Sequence, residues 1–308
     1  MGEVMDERTV KESAAKRGLR RTGVTAREAA SDVLYVEVPG GRIAYEVMGE
    51  GPLIVLLHGV GDLRESYRFL APQLVDAGYR VANANLRGHG DSSIGSESIS
   101  RSDIAGDVLA LIRHLGVPAV IVGQSISGGA ATIAAAQAPQ LVTAIVEINP
   151  FTRVQKISVG AMLRIRRYRQ GALRMGGLMA FRSVRVWLRY LDLAYATKPA
   201  DWTDYKAALR AKLKEPGRMA EFMKTFKSTP ADAEAQLSNV QCPALIVMGS
   251  ADPDFPDPTA EGQAIVAALR PGLGTLRIVE GAGHYIHAER PNELAALVTS
   301  FLTDHVGA

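Results

Sequence analysis

Val120-Ile-Val-Gly123-Gln-Ser125-Ile-Ser-Gly-Gly129 is the stretch on which the reading of this chain turns. An apolar run leads into it, and an alanine-rich, helix-prone run leads out from Ile126 to Ala138. Strand, sharp turn, helix is the context in which a G-x-S segment carries chemical meaning. Gly123 removes side-chain bulk where the backbone folds back. Small residues at Ser127 and Gly128 let the helix pack close to the strand it leaves. Such a turn lifts the Ser125 hydroxyl clear of a sheet. The same pattern occurs by chance in Gly- and Ser-rich loops, so the neighbouring sequence has to decide.

Working outward, the chain alternates between two periods. Val33–Val38 and Arg42–Val47 alternate as strands around the turn Pro39-Gly-Gly41, a hairpin pattern. Leu53–Leu57 is continuously apolar, as a strand buried on both faces must be. A helix is expected over about Ser66–Ala77, a strand over Tyr79–Ala84, a helix over Asp103–Leu115 and a strand over Ala119–Gly123. After Ile126–Ala138, a strand is expected over Thr143–Ile148. From Phe151 to about Val240 the patterns are helical without a convincing strand. Alternation resumes with strands at Ala244–Met248 and Thr275–Val279 and helices at Pro258–Arg270 and Asn292–Leu302. Repeated strand–helix units imply an α/β fold, here an eight-stranded, mostly parallel sheet with helices on both faces. The expected organisation is a polar tail over 1–31, a core formed by 32–150 and 241–308, and an inserted helical cap over 151–240.

With 308 residues, 47% hydrophobic and 22% charged, the chain reads as a soluble globular protein rather than a disordered one. It lacks an uninterrupted apolar stretch of about 18 residues, so no transmembrane segment is expected. The N-terminal residues lack a signal-peptide core, and the single cysteine, Cys242, cannot form an internal disulfide, which together fit a cytoplasmic location. No metal-binding cluster and no dinucleotide fingerprint is found, so no cofactor is expected. Net charge is +3, yet Lys156 and nine arginines lie between Arg153 and Arg189 with no acidic residue among them. Such a field attracts anionic molecules or surfaces, although a solvated helix face is the plainer explanation. Nucleic-acid binding finds no accompanying motif.

In open α/β sheets, ligands gather beyond the carboxyl ends of the strands. Beyond the strand ends of this chain come His58-Gly59-Val60-Gly61, Ser125, Gly249-Ser-Ala-Asp252-Pro253 and Gly281-Ala-Gly-His284. With RGHGDSS at Arg87–Ser93 and GAGHYIHAERP at Gly281–Pro291, these ordered motifs resemble the alpha/beta-hydrolase superfamily, serine-nucleophile branch with a helical cap. The resemblance runs from about Val33 to Phe301. It departs from the usual pattern at Ser127, where a glycine is common, and at Asn85, where an aspartate is common.

The resemblance implies a cofactor-independent carboxylesterase acting on a small acyl substrate, hydrophobic in its main part. Ser125 would be the nucleophile, with Ser127 as its rival. His284 would be the base, against His287, His89 and His58. Asp252 would be the acid, against Asp254, Asp257 and the deeper Glu147. The oxyanion donors would be the N–H groups of Val60 and Ile126. Thioesterase, lactonase, C–C hydrolase and acyltransferase chemistry use the same machinery, and a ligand-binding protein with an idle triad is the alternative from another class.

Overall fold

A computed structural model describes residues 32–306; the expected tail over 1–31 lies outside the described residues. Eight strands form one sheet: β1 (Leu34–Val38), β2 (Gly41–Met48), β3 (Leu53–Leu57), β4 (Arg80–Ala84), β5 (Ala119–Gln124), β6 (Val142–Ile148), β7 (Ala244–Gly249) and β8 (Gly274–Val279). Their order across the sheet is β1-β2-β4-β3-β5-β6-β7-β8. Only β1–β2 and β2–β4 pair antiparallel; from β4 to β8 all neighbours run parallel. The fold is thus the mostly parallel α/β sheet that the strand–helix alternation predicts.

The pleat explains why these strands read as apolar runs rather than as alternating ones. Leu53, Val55 and Leu57 face one core layer with Ile121, Ile145 and Ile246. Ile54 and Leu56 face the other with Val122, Val146 and Val247. Both faces are covered, so both sets of side chains must be apolar.

The helices on the two faces are α1 (Leu70–Asp76), α2 (Arg101–Leu115), α3 (Ile126–Gln137), and, after the insertion, α10 (Pro258–Ala268), α11 (Ile286–Glu289) and α12 (Pro291–Val306). Most elements fall within a few residues of the sequence expectation, and two of the differences have a visible reason. The expected helix over Ser66–Ala77 is instead a 3₁₀ turn at Arg64–Tyr67 followed by α1. Pro72 sits in the first turn of α1, where its missing N–H breaks no helical bond. Helix α2 begins two residues before Asp103, because Ser100 and Asp103 form a reciprocal capping box.

Between β6 and β7 the described chain holds α4 (Val159–Arg164), α5 (Arg166–Phe181), α6 (Val184–Ala194), α7 (Trp202–Leu213), α8 (Arg218–Lys224) and α9 (Ala231–Glu234), and no strand. This segment has its own apolar cluster, including Leu178, Trp187, Leu191, Leu209 and Phe222. Specific bonds tie it to the strand-end loops. Trp187 donates to the Gly61 carbonyl at 2.9 Å, and the Tyr205 hydroxyl donates to Asp62. Arg68 holds Asp201 through two bonds of 2.6 Å.

Candidate active site

Ser125 occupies the turn between β5 and α3 with φ 58° and ψ −118°, a left-handed conformation rare for a residue with a side chain. The turn is tight enough to dictate its neighbours. A Cβ on Gly123 would lie 2.2 Å from the Ser127 carbonyl oxygen, and one on Gly128 would lie 2.5 Å from Pro150. Glycine at both positions is a steric requirement. Ser125 lines a cavity, and its hydroxyl makes no hydrogen bond among the described residues.

Ser127 is fully buried, and its hydroxyl donates to the His58 carbonyl at 2.6 Å. It fastens the β5–α3 turn to the loop after β3 and does not line the cavity. That loop is further shaped by two histidines. The Leu86 N–H donates to His58 Nε2 at 3.1 Å, which leaves the proton on Nδ1, 2.7 Å from the Gly59 carbonyl. His89 accepts from the Gly61 N–H at 3.0 Å in the same manner. Burial depresses both, His58 well below the usual imidazole value and His89 to about 4, so both are neutral wedges. Asn85 accepts from the Arg64 N–H at 2.9 Å and so anchors a neighbouring loop. Val60 and Ile126 line the same cavity as Ser125, and their N–H groups have no acceptor among the described residues. The Ile126 group is also the first free donor of α3.

His284 and Asp252 meet beyond the ends of β8 and β7. His284 Nδ1 lies 2.7 Å from Asp252 Oδ2, and the second carboxylate oxygen accepts from the Asp254 N–H at 2.8 Å. Asp254 is 3.6 Å from the same ring nitrogen and accepts from the Tyr190 hydroxyl at 2.5 Å. Burial, with Asp252 adjacent, pushes Asp254 up to about 6. Burial alone lowers a histidine, but Asp252, assisted by Asp254 and Glu289, pushes His284 up to about 9. The ligating atoms of Asp252, Asp254 and His284 fall within 4.8 Å of one another. Three of the four carboxylate oxygens are engaged in hydrogen bonds, Asp252 Oδ2 with Nδ1, Asp252 Oδ1 with the Asp254 N–H and Asp254 Oδ2 with the Tyr190 hydroxyl.

The remaining candidates are elsewhere. His287 packs its ring on Tyr67 at 4.5 Å and is depressed to about 3 by burial. Asp257 caps α10 through the Ala260 N–H. Glu147 is buried beneath α3, bonded by Thr132 and Thr152, and raised to about 7 by burial. Cys242 is buried, which pushes its thiol up to about 11.

Four positions with no role in the sequence reading of the site hold the histidine loop. Gln124 donates to the His284 carbonyl at 3.1 Å. Asn149, at φ 43°, donates to the Gly283 carbonyl at 2.9 Å and accepts from the Gly249 N–H at 2.7 Å. Glu289 accepts from the N–H groups of Gly283, Tyr285 and Thr197. The Ala194 carbonyl, at the end of α6, accepts from the His284 N–H at 2.8 Å.

Ser125 and His284 line one cavity of about 650 Å³. Its remaining walls are mainly apolar and aromatic, with Phe151 just beyond β6 and Tyr168, Met175, Trp187, Tyr190 and Phe226 further along the insertion. This is the size and character of a small-molecule site. A hydroxyl, an imidazole backed by a carboxylate, and two unpaired N–H groups around such a space are the parts that acyl transfer requires.

The model of the alpha/beta hydrolase family matches residues 54–297. A curated relative is the 2-(acetamidomethylene)succinate hydrolase of Mesorhizobium japonicum, 27% identical over 90% of this chain and 98% of its own. Among solved structures, the enol-lactonase of Burkholderia xenovorans covers 88% of this chain and 100% of its own at 21% identity, with a TM-score of 0.69. A membrane phospholipase A covers 97% of this chain and 91% of its own at 23% identity, with a TM-score of 0.75. At these identities the two structures establish a shared fold. No helix among the described residues is long and apolar enough to cross a membrane.

Proposed function

The chain belongs to the alpha/beta hydrolase family, and we propose that it is a serine hydrolase that cleaves a carboxylic ester through an acyl-enzyme. The observation that carries this reading is the 2.7 Å bond between His284 Nδ1 and Asp252 Oδ2 beside a cavity that Ser125 shares. In this reading Ser125 Oγ attacks the ester carbonyl as His284 Nε2 takes its proton. Asp252 keeps the Nδ1 proton in place, and so leaves Nε2 free to accept, and it stabilises the imidazolium that forms. The N–H groups of Val60 and Ile126 receive the developing oxyanion. His284 then protonates the departing alkoxide. Water, activated by the same imidazole, releases the acid and restores the serine.

The helical insertion over 151–240 is read as a lid on the core formed by 32–150 and 241–308. Its aromatic side chains supply most of the surface against which an acyl or alkyl group would pack. The apolar walls favour a hydrophobic ester over a sugar or a nucleotide.

Treatment with a fluorophosphonate, followed by intact-mass analysis and peptide mapping, tests this directly. A single adduct on Ser125 is expected. An adduct on Ser127, or turnover retained in Ser125→Ala, overturns the assignment.

A further inference from the structure

Three arginines of the described chain are buried: Arg64, Arg87 and Arg101. Two of them have carboxylate partners. Arg87 holds Asp107 through bonds of 2.7 and 2.6 Å, and Arg64 holds Asp91 at 2.7 Å. Arg101 has none among the described residues. Its Nε donates to the Phe151 carbonyl at 2.8 Å and its Nη1 to the Ser228 hydroxyl at 3.2 Å. Asp232 is near enough for its charge to be felt, but no ion pair joins the two among the described residues. A buried guanidinium without a counter-ion is costly, and here burial draws the group down to about 10.

Arg101 is also in the right place to be used. It lines the cavity with Ser125 and His284. The Phe151 N–H donates to the Ser125 carbonyl at 3.1 Å, while the Phe151 carbonyl receives Arg101. One residue therefore separates the guanidinium from the serine backbone, a span of roughly 10 Å at most. Room for the arginine is built in, because a Cβ on Gly129 would lie 2.8 Å from Arg101 Cδ.

We propose that Arg101 is the anion subsite of this cavity, so that the preferred ester carries a carboxylate on an otherwise apolar chain. The proposal rests on the esterase reading only for what is done to the bound molecule. A carboxylate entering the cavity supplies the missing counter-charge, and a planar guanidinium offers it paired donors.

The test compares monoethyl adipate with ethyl hexanoate, which match in acyl length and differ in the terminal carboxylate. The ratio of their kcat/KM values is expected to fall by roughly 10- to 100-fold in Arg101→Met, chiefly through KM. Arg101→Lys should recover part of it. A purely structural arginine would lower both substrates together, and an unchanged ratio overturns the proposal. Adipate binding by calorimetry separates the two readings. Binding lost in Arg101→Met with no ester turned over removes the esterase reading and keeps the subsite. Adipate binding equal in both proteins removes the subsite.

A second inference rests on the outer surface. Ile157, Leu163 and Phe181 are 79%, 75% and 75% exposed, and Val159 and Leu173 are also largely exposed. Interspersed with them are Lys156, Arg164, Arg166, Arg182, Arg185 and Arg189, all exposed and without an ion pair among the described residues. Ile157 and Val154 also line the cavity. Apolar side chains set among unpaired cations are the pattern of a helix lying in a lipid interface. We infer that α4 and α5 dock on an anionic lipid surface, with the cavity opening toward it.

Co-sedimentation with vesicles of phosphatidylcholine, with and without phosphatidylglycerol, tests this. Binding to the anionic vesicles alone is expected, weakening with added salt. Leu163→Ser with Phe181→Ser, or Arg182→Glu with Arg185→Glu, should abolish it with melting temperature unchanged. Absent or charge-independent binding overturns the inference. So does concentration-dependent self-association that the same variants remove, which would assign the face to a second copy.

Discussion

The strand ends and the helical insertion treat polar groups in opposite ways. At the strand ends, buried polar side chains are spent on one another and on the backbone: Ser127 on His58, Gln124 on His284, Asn149 on Gly283 and Gly249, Asp252 on His284. Across α4, α5 and α6, most cations are exposed and unpaired, and several large apolar side chains face outward with them. The first arrangement fixes positions to fractions of an ångström, which bond-making chemistry needs. The second fixes little and presents a surface, which suits recognition. In the proposed reading the strand ends carry the reaction, and the insertion adds walls to the cavity and an outer surface.

Substitutions should therefore differ sharply in effect between the two regions. The largest loss is expected from Ser125→Ala, about 10⁴- to 10⁶-fold in kcat, with melting temperature unchanged or raised as the left-handed strain is kept but the polar group removed. Asp252→Asn should follow at about 10³- to 10⁴-fold, because the imidazole loses its tautomer. If Asp254→Asn proves equally severe in steady-state kinetics, the roles of the two carboxylates must be exchanged.

A smaller effect is expected in the pH profile. In the proposed mechanism attack requires neutral His284, and the neighbouring carboxylates push this group up to about 9. The profile of kcat/KM should rise with pH through a midpoint above the ordinary imidazole value. Asp254→Asn removes one of the charges responsible, so its midpoint should move to lower pH and activity near pH 6 should increase relative to the maximum. A midpoint unmoved by that change would show that Asp254 is not felt by the ring. The smallest effect at the strand ends is expected from Ser127→Gly, roughly tenfold in kcat or less, since it removes one neutral hydrogen bond. In the insertion, Leu163→Ser should leave the melting temperature and the hydrolysis of a water-soluble ester unchanged within error.

Much of the core was legible because parallel strands covered on both faces must be apolar throughout, as at Leu53–Leu57 and Ala244–Met248. The turn around Ser125 was legible because only glycine fits at Gly123 and Gly128. The boundary of α2 was missed by two residues because a serine cap outweighs helix propensity there. Arg101 passed unnoticed because its meaning lies in the absence of a carboxylate, which only three-dimensional neighbours reveal. Gln124, Asn149 and Glu289 were silent for a related reason. Gln124 and Asn149 bond to residues more than 130 positions away, and nothing in local periodicity records such pairs. The choice between Ser125 and Ser127 was open in the sequence, and the two side chains turn out to point at different tasks, one at the cavity and one at a carbonyl.

The bond from Ser127 to the His58 carbonyl has a dynamic consequence. Val60 lies two residues beyond His58, and Ile126 directly precedes Ser127, so the hydroxyl rivets together the two segments that carry the proposed oxyanion donors. Segments tied in this way are expected to move together, with the gap between the two N–H groups nearly constant. Dipoles held in this way need no realignment when negative charge arrives, so little reorganisation energy is added to the barrier. A glycine at this position would leave the turn intact and the two donors free to move out of step.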